Sequence, residues 1–179
     1  MGKYEVRLSG SGGQGLLLAG IILAESAIIE GKNAVQTQSY GPEARGGASK
    51  SEVLISDDTI DFPKVRNCDI LLALTQKSYE QYNEGLKDNG ILIIDSSVKV
   101  DSSEKHKVYS APILESAVNK LGKPMVTNIV ALGTIVGITD IVDKDALEKA
   151  VLKRVPKGTE ELNKKALAIG YEIAEESKK

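Results

Sequence analysis

Two short stretches of this 179-residue chain are apolar at almost every position. Residues 68–74 read CDILLAL and residues 91–95 read ILIID, without the polar alternation of a strand that has one face in water. Continuous apolar runs of this length are typical of strands covered on both faces. They alternate with helical patterns along the chain, which predicts an α/β domain of three layers with a mainly parallel sheet.

The rest of the chain supplies the other elements of such a domain. Strands are predicted at residues 4–9, 34–38, 51–56 and 108–109, and helices at residues 16–30, 76–86, 128–138, 144–153 and 159–175. Pro112 opens a further short helix, and Asn89-Gly90 is predicted to form a turn. A glycine-rich loop rather than a helix joins the second and third strands, so these two can pair antiparallel and make the sheet mixed. We expect one Rossmann-like domain over residues 1–179.

Charge and residue counts exclude several classes of function. The net charge of -2 and the absence of a Lys/Arg cluster argue against nucleic-acid binding. One cysteine and one histidine cannot form a disulfide framework, an iron–sulfur cluster, a structural zinc site or a catalytic triad. We expect Cys68 to be a buried core thiol and His106 to be a solvated loop residue.

The longest apolar runs, residues 16–29 and 125–142, are interrupted by glycines and by Glu25, Asn128 and Asp140. This pattern indicates buried helices rather than membrane spans. The sequence starts directly with a strand pattern and shows no export signal, so a cytoplasmic location is expected.

A glycine loop, GSGGQG at residues 10–15, follows the first strand and precedes the first helix. Gly10, Gly12 and Gly15 have the spacing of the dinucleotide fingerprint, in the context that it requires. The acidic residue that should follow about 20 residues later is missing, because residues 35–38 read VQTQ. Three interpretations stay open for Gly10, Gly12, Gly13, Gln14 and Gly15: a dinucleotide site, a site for another anion or cofactor phosphate, and a purely structural turn.

A second glycine-rich loop, SYGPEARGGAS, covers residues 39–49. It combines a proline, which restricts the backbone, with three glycines, which free it, and with two charged side chains. Pro42 fixes its own φ, and Gly46-Gly47 permits close approach of another group. Arg45 offers a planar fork of donors suited to carboxylate or phosphate, and Tyr40 is an amphipathic anchor. A ligand or partner site and a simple Glu43–Arg45 brace both explain this composition.

Together the two loops resemble those of the gamma subunit, or gamma domain, of the 2-oxoacid:ferredoxin (acceptor) oxidoreductases. The resemblance continues through PMVTNIVALGTIVGIT, with Asn128 and Gly133, and through ELNKKALAIGYE, with Asn163, Ala166 and Gly170. It therefore covers nearly the whole chain. Within this family, SYGPEARGG is most similar to the 2-oxoglutarate type.

This resemblance implies a subunit of an enzyme that oxidatively decarboxylates a 2-oxoacid to its acyl-CoA and is not active alone. In such enzymes thiamine diphosphate with Mg²⁺ forms the carbanion, coenzyme A accepts the acyl group, and 4Fe–4S clusters pass electrons to ferredoxin. The chain has no Gly-Asp-Gly diphosphate motif and one cysteine, so these cofactors are expected in partner chains. The implied partners are alpha, beta and ferredoxin-like delta subunits, and isolated copies are expected to dimerise.

The resemblance also implies that the second loop helps to close the active site and the coenzyme A pocket. The candidate residues for this role are Ser39, Tyr40, Gly41, Pro42, Glu43, Arg45, Gly46, Gly47 and Lys50. No catalytic residue or metal ligand is assigned to this chain. The alternatives are a gamma-type subunit for pyruvate, indolepyruvate or branched-chain oxoacids, and a free-standing nucleotide- or acyl-CoA-binding protein.

Overall fold

The computed structural model describes residues 2–39 and 48–179, with Ser39 described by its backbone alone. A six-stranded sheet forms its centre, in the order β2-β3-β1-β4-β5-β6. The strands are β1 (Lys3–Gly10), β2 (Asn33–Ser39), β3 (Ser49–Ser56), β4 (Cys68–Ala73), β5 (Leu86–Asp95) and β6 (Lys107–Ala111).

The sheet is mixed. Strands β1, β4, β5 and β6 pair in parallel, whereas β3 lies antiparallel between β1 and β2. The β1–β3 ladder runs from Lys3 opposite Ser56 to Gly10 opposite Ser49. The predicted α/β class is confirmed, and the second and third strands pair antiparallel, which is the possibility that the sequence left open.

Helices cover both faces of the sheet. They are α1 (Leu16–Ile29), α2 (Gln76–Tyr82), α3 (Ile113–Asn119), α4 (Thr127–Thr139), α5 (Lys144–Arg154) and α6 (Glu160–Ser177). The larger core packs α1, α3, α4, α5 and α6 against one face, and a smaller core places α2 on the other. Among the helices of residues 2–39 and 48–179, none combines the length and apolar character needed to cross a membrane.

Helices α4 and α6 cross in close contact because both carry a glycine at the crossing. A Cβ atom on Gly170 would lie 2.5 Å from the carbonyl oxygen of Val130 and 2.7 Å from the Cα atom of Gly133. Neither position has room for a side chain, so backbone packs directly on backbone. This crossing fixes the position of α4, whose first turn reaches the glycine loop.

One stretch differs from the prediction. The helix expected over residues 76–86 ends at Tyr82, followed by a 3-10 turn at Asn83–Gly85, and β5 then begins at Leu86. Asn89 and Gly90 therefore lie inside a strand, not in a turn. The β4–β5 register shifts there, with Cys68 opposite Leu86 but Ile70 opposite Ile91, so the extra residues form a bulge.

Candidate functional site

The glycine loop connects the end of β1 to the start of α1. Gln14 turns back across this loop, and its Oε1 accepts a hydrogen bond from the backbone N–H of Ser11 at 2.8 Å. A Cβ atom on Gly10 would collide with the same oxygen. Gly15 precedes the helix with a φ of 73°, in the left-handed region that favours glycine. A phosphate held inside the loop would therefore compete with Gln14 for the Ser11 N–H.

Helix α4 fixes the loop from one side. The Nδ2 atom of Asn128, in the first turn of α4, donates a hydrogen bond to the carbonyl oxygen of Gly15 at 3.2 Å. The carboxamide fills the space where a Cβ atom on Gly15 would lie. Asn128 is buried, so this bond joins two helix N-termini at a site shielded from water. The contact explains an asparagine at this position of a largely apolar helix.

A pocket of about 440 Å³ opens beside the glycine loop, at the edge where β1 and β2 end. Its volume lies within the range of about 300–1,000 Å³ that is usual for small-ligand sites. Gly15 provides no capping side chain and the first turn of α1 has no acidic residue, so the helix N-terminus keeps its partial positive charge. Ten residues line the pocket: Ser11, Gly12, Gly13, Gln14, Gly15, Leu16, Leu17, Gln38, Ser49 and Lys50.

The pocket brings together the two loops that the sequence singled out. The glycine loop forms one wall, and the ends of the second connection, Gln38 on β2 and Ser49 and Lys50 on β3, form the other. Ser39 pairs with Lys50 in the β2–β3 ladder. The other seven candidate residues of that connection lie outside the described residues: Tyr40, Gly41, Pro42, Glu43, Arg45, Gly46 and Gly47.

Lys50 belongs to a charged network on the α2 side of the sheet. Its Nζ atom lies 3.3 Å from Oε1 of Glu52, and Nη2 of Arg7 lies 2.8 Å from Oε2 of the same carboxylate. The Tyr82 ring is close to both cations, with its centroid 5.6 Å from the Lys50 Nζ and 5.7 Å from the Arg7 Cζ. The Tyr82 hydroxyl donates to the carbonyl oxygen of Ala48 at 3.3 Å. Two cations thus share one carboxylate directly beside the second connection.

Sequence reasoning missed the other members of this network. The strand predicted at residues 4–9 carries Arg7 among alternating polar residues, a pattern that does not distinguish it from an exposed arginine, yet Arg7 is only 6% exposed. Its partner Glu52 is directly opposite in the antiparallel β1–β3 ladder. That pairing depends on a register between distant segments, for which a single sequence carries no local signal.

Cys68 is buried at the start of β4, as predicted. Burial raises the pKa of its thiol to about 11, so it stays protonated at neutral pH. In residues 2–39 and 48–179 no three His, Cys, Asp or Glu side chains come together as a metal site. With one cysteine, the sequence does not supply the about four thiolates that usually hold an iron–sulfur cluster.

His106 lies in the loop before β6, as predicted, but the expectation that it is solvated was wrong, because its side chain is only 14% exposed. The ring Nδ1 contacts the carboxylate of Glu104, which also accepts hydrogen bonds from Tyr79 and Asn83 of the α2 region. Burial alone would raise the pKa of Glu104, but these bonds and the backbone N–H of His106 lower it to about 2. The polar sequence around His106 gave no sign that a buried carboxylate would lie two residues away.

Comparison with known proteins assigns the chain to a family. Residues 5–173 match the family model described as pyruvate ferredoxin/flavodoxin oxidoreductase. The 2-oxoglutarate synthase subunit KorC of Methanocaldococcus jannaschii is 51% identical over 178 residues, which cover 97% of this chain and 95% of that protein. The pyruvate synthase subunit PorC of Methanothermobacter marburgensis is 31% identical over 171 residues, covering 94% of this chain and 96% of that protein.

Solved structures agree with this assignment. The gamma subunit of a keto/oxoacid ferredoxin oxidoreductase from Geobacter sulfurreducens matches with a TM-score of 0.91 and 50% identity, over 99% of both chains. The 2-oxoglutarate:ferredoxin oxidoreductase of Magnetococcus marinus, solved with 2-oxoglutarate, coenzyme A and succinyl-CoA bound, shares the fold alone. It has a TM-score of 0.88 at 19% identity, over 98% of this chain and 32% of that one. The chain therefore belongs to the pyruvate ferredoxin/flavodoxin oxidoreductase family, as a gamma-type subunit.

Proposed function

We propose that this chain is the gamma subunit of a 2-oxoglutarate:ferredoxin oxidoreductase, which converts 2-oxoglutarate and coenzyme A to succinyl-CoA and CO2 and passes the two electrons to ferredoxin. The choice of 2-oxoglutarate as substrate is supported by the 51% identity with a 2-oxoglutarate synthase subunit over nearly the full length of both chains. A pyruvate synthase subunit of similar length is only 31% identical. The sequence SYGPEARGG favours the same substrate type.

The pocket beside the glycine loop is our candidate for this chain's share of the coenzyme A site. Its walls combine glycine backbone and two leucines around an uncapped helix N-terminus, and Lys50, whose ammonium pairs with Glu52, lies at its border. Such a surface suits a ligand with both apolar and anionic parts, which describes coenzyme A. The ends of residues 39–50 border the pocket, so Arg45 in this connection is the proposed second cation.

The remaining cofactors are proposed to lie in partner chains. Cys68 is protonated and buried, and the chain lacks the diphosphate motif, so neither an iron–sulfur cluster nor thiamine diphosphate is assigned to it. The chain would act as one domain, residues 1–179, within a cytoplasmic complex that contains alpha, beta and delta subunits. Alone it would have no oxidoreductase activity.

Purification of the tagged chain from its native host under anaerobic conditions tests this proposal. We expect larger and cluster-bearing chains to copurify, and the complex to reduce ferredoxin when 2-oxoglutarate and coenzyme A are both present. The rate of ferredoxin reduction with 2-oxoglutarate is compared with the rates with pyruvate, indolepyruvate and a branched-chain oxoacid. Faster reduction with one of these would assign a different member of the family, and a chain that purified alone would contradict the subunit assignment.

A further inference from the structure

A basic pocket lies at the opposite edge of the sheet from the glycine loop. Its volume is about 350 Å³, and it is lined by Lys3, Glu5, Phe62, Lys64, Arg66, Asn67 and Lys87. Lys3 begins β1 and Gly10 ends it, so the two edges are about 23 Å apart at the strand rise of roughly 3.3 Å per residue. The basic pocket is therefore a separate site from the candidate coenzyme A pocket.

The floor of this basic pocket is electrically balanced. The Lys87 Nζ atom lies 3.1 Å from Glu5 Oε2 and 2.9 Å from Asp69 Oδ1, and the Lys3 Nζ atom lies 3.6 Å from Glu5 Oε1. Two lysines are thus matched by two carboxylates. These ion pairs hold the lysine side chains in place and leave them little capacity for a further anion.

The rim carries the surplus charge. Lys64 and Arg66 are exposed, and in the described part of the chain neither makes an ion pair with a carboxylate. Of the nearby carboxylates, Glu5 lines the pocket and Asp69 pairs with a lysine of its floor, whereas Asp61 neither lines the pocket nor forms an ion pair with one of its cations in the described residues. Four cations against two carboxylates leave two positive charges in a chain whose net charge is -2. The local charge is therefore opposite in sign to that of the whole molecule.

An aromatic side chain stands beside these cations. Phe62, the only phenylalanine in the sequence, lies outside both hydrophobic cores and is 45% exposed. The guanidinium of Arg66 lies over its ring, with Cζ 4.5 Å from the ring centroid, which orients the arginine and its donors. On either side, Ile60 and Val65 pack into the smaller core and hold the segment against the sheet. Exposed aromatic residues and arginines in a fixed arrangement are typical of the centres of protein interfaces.

We propose that this basic pocket docks an acidic segment of another subunit of the complex. Carboxylates of that segment pair with Arg66 and Lys64, and an apolar group packs on Phe62. The positive charge of the rim determines the choice of occupant, because among the described residues neither Lys64 nor Arg66 has a carboxylate partner and an exposed aromatic ring lies beside them. The inference rests on the proposed function only in requiring that the chain works within a complex.

Cross-linking of the tagged complex with a water-soluble carbodiimide tests the contact, because this reagent joins a lysine directly to a carboxylate that touches it. Peptide mass spectrometry should find Lys64 linked to an Asp or Glu of another chain. The variant Lys64→Glu/Arg66→Glu should bind that chain about tenfold more weakly, or worse, at low ionic strength, with a smaller difference in high salt. Its matched control, Lys149→Glu/Lys165→Glu, reverses two exposed lysines of α5 and α6 and should bind like wild type.

Other outcomes would overturn the inference. The first is that no interchain link forms at Lys64 and the double variant assembles with wild-type affinity. The second is that nuclease treatment releases the partner. Both double variants should keep the wild-type melting temperature, which separates lost docking from misfolding. Ferredoxin reduction by 2-oxoglutarate is measured on the same samples. A Lys64 cross-link without that activity would contradict the proposed function and leave the docking surface standing.

Discussion

Replacing Gly170 with alanine should destabilise the chain, although alanine is the better helix former. On propensity alone, a Gly→Ala change inside a helix stabilises by about 1 kcal/mol. Here the new Cβ atom would lie 2.5 Å from the Val130 carbonyl oxygen and 2.7 Å from the Gly133 Cα atom. Both obstacles are backbone atoms, which cannot rotate aside, so α4 and α6 must separate.

Overpacking of a core costs about 1–3 kcal/mol, and rigid neighbours place this site near the upper end of that range. After the gain in propensity, we expect a net loss of about 2 kcal/mol in the free energy of unfolding, or roughly 4–8 °C in Tm for a chain of this size. Thermal and urea unfolding followed by circular dichroism measures it. Ala168→Gly, at an exposed position of the same helix, calibrates the propensity effect. A Gly170→Ala variant that melts above wild type would refute the reasoning.

Three further changes test other parts of the molecule. In the reconstituted complex, Arg45→Ala should raise the KM for coenzyme A or lower kcat while the chain stays folded; unchanged kinetics would remove Arg45 from the site. Ionised Glu104, with a pKa of about 2 against an ordinary 4.5, contributes stability above about pH 4.5 that is lost as the pH falls toward 2. Glu104→Gln should therefore flatten the urea-unfolding free energy over that range, and a variant curve parallel to wild type would contradict the role of Glu104. Because burial raises the pKa of Cys68 to about 11, its thiol should resist iodoacetamide at pH 8 until denaturant is added; rapid native labelling, seen by mass spectrometry, would contradict its burial.

The sequence was sufficient to predict the layers of the fold, because apolar runs and helical periodicity are local signals. It also left an antiparallel pairing of β2 and β3 open, since a glycine-rich loop rather than a helix joins them, and the structure has that pairing. It failed at Asn89-Gly90, where a typical turn signal lies within a bulge of β5 because pairing with β4 outweighs the local preference.

The candidate site was predictable in part. The glycine loop and the second connection stood out by composition, and the structure places the ends of that connection against the loop. The Arg7–Glu52 pair was not predictable, since it depends on strand register. The role of Asn128 was not predictable either, since it depends on the contact between α4 and Gly15. The basic pocket was likewise hidden, because its residues come from three separate segments of the chain.

The ladder between β2 and β3 closes at Ser39 and Lys50, on either side of the connection that borders the pocket. Both ends of that connection are therefore held by paired strands, with β2 at the edge of the sheet and β3 between β2 and β1. Doubling the length of a flexible loop costs only about 0.6 kcal/mol in closure entropy. A longer or shorter connection between these two strand ends is therefore expected to leave the register of the β2–β3 ladder unchanged.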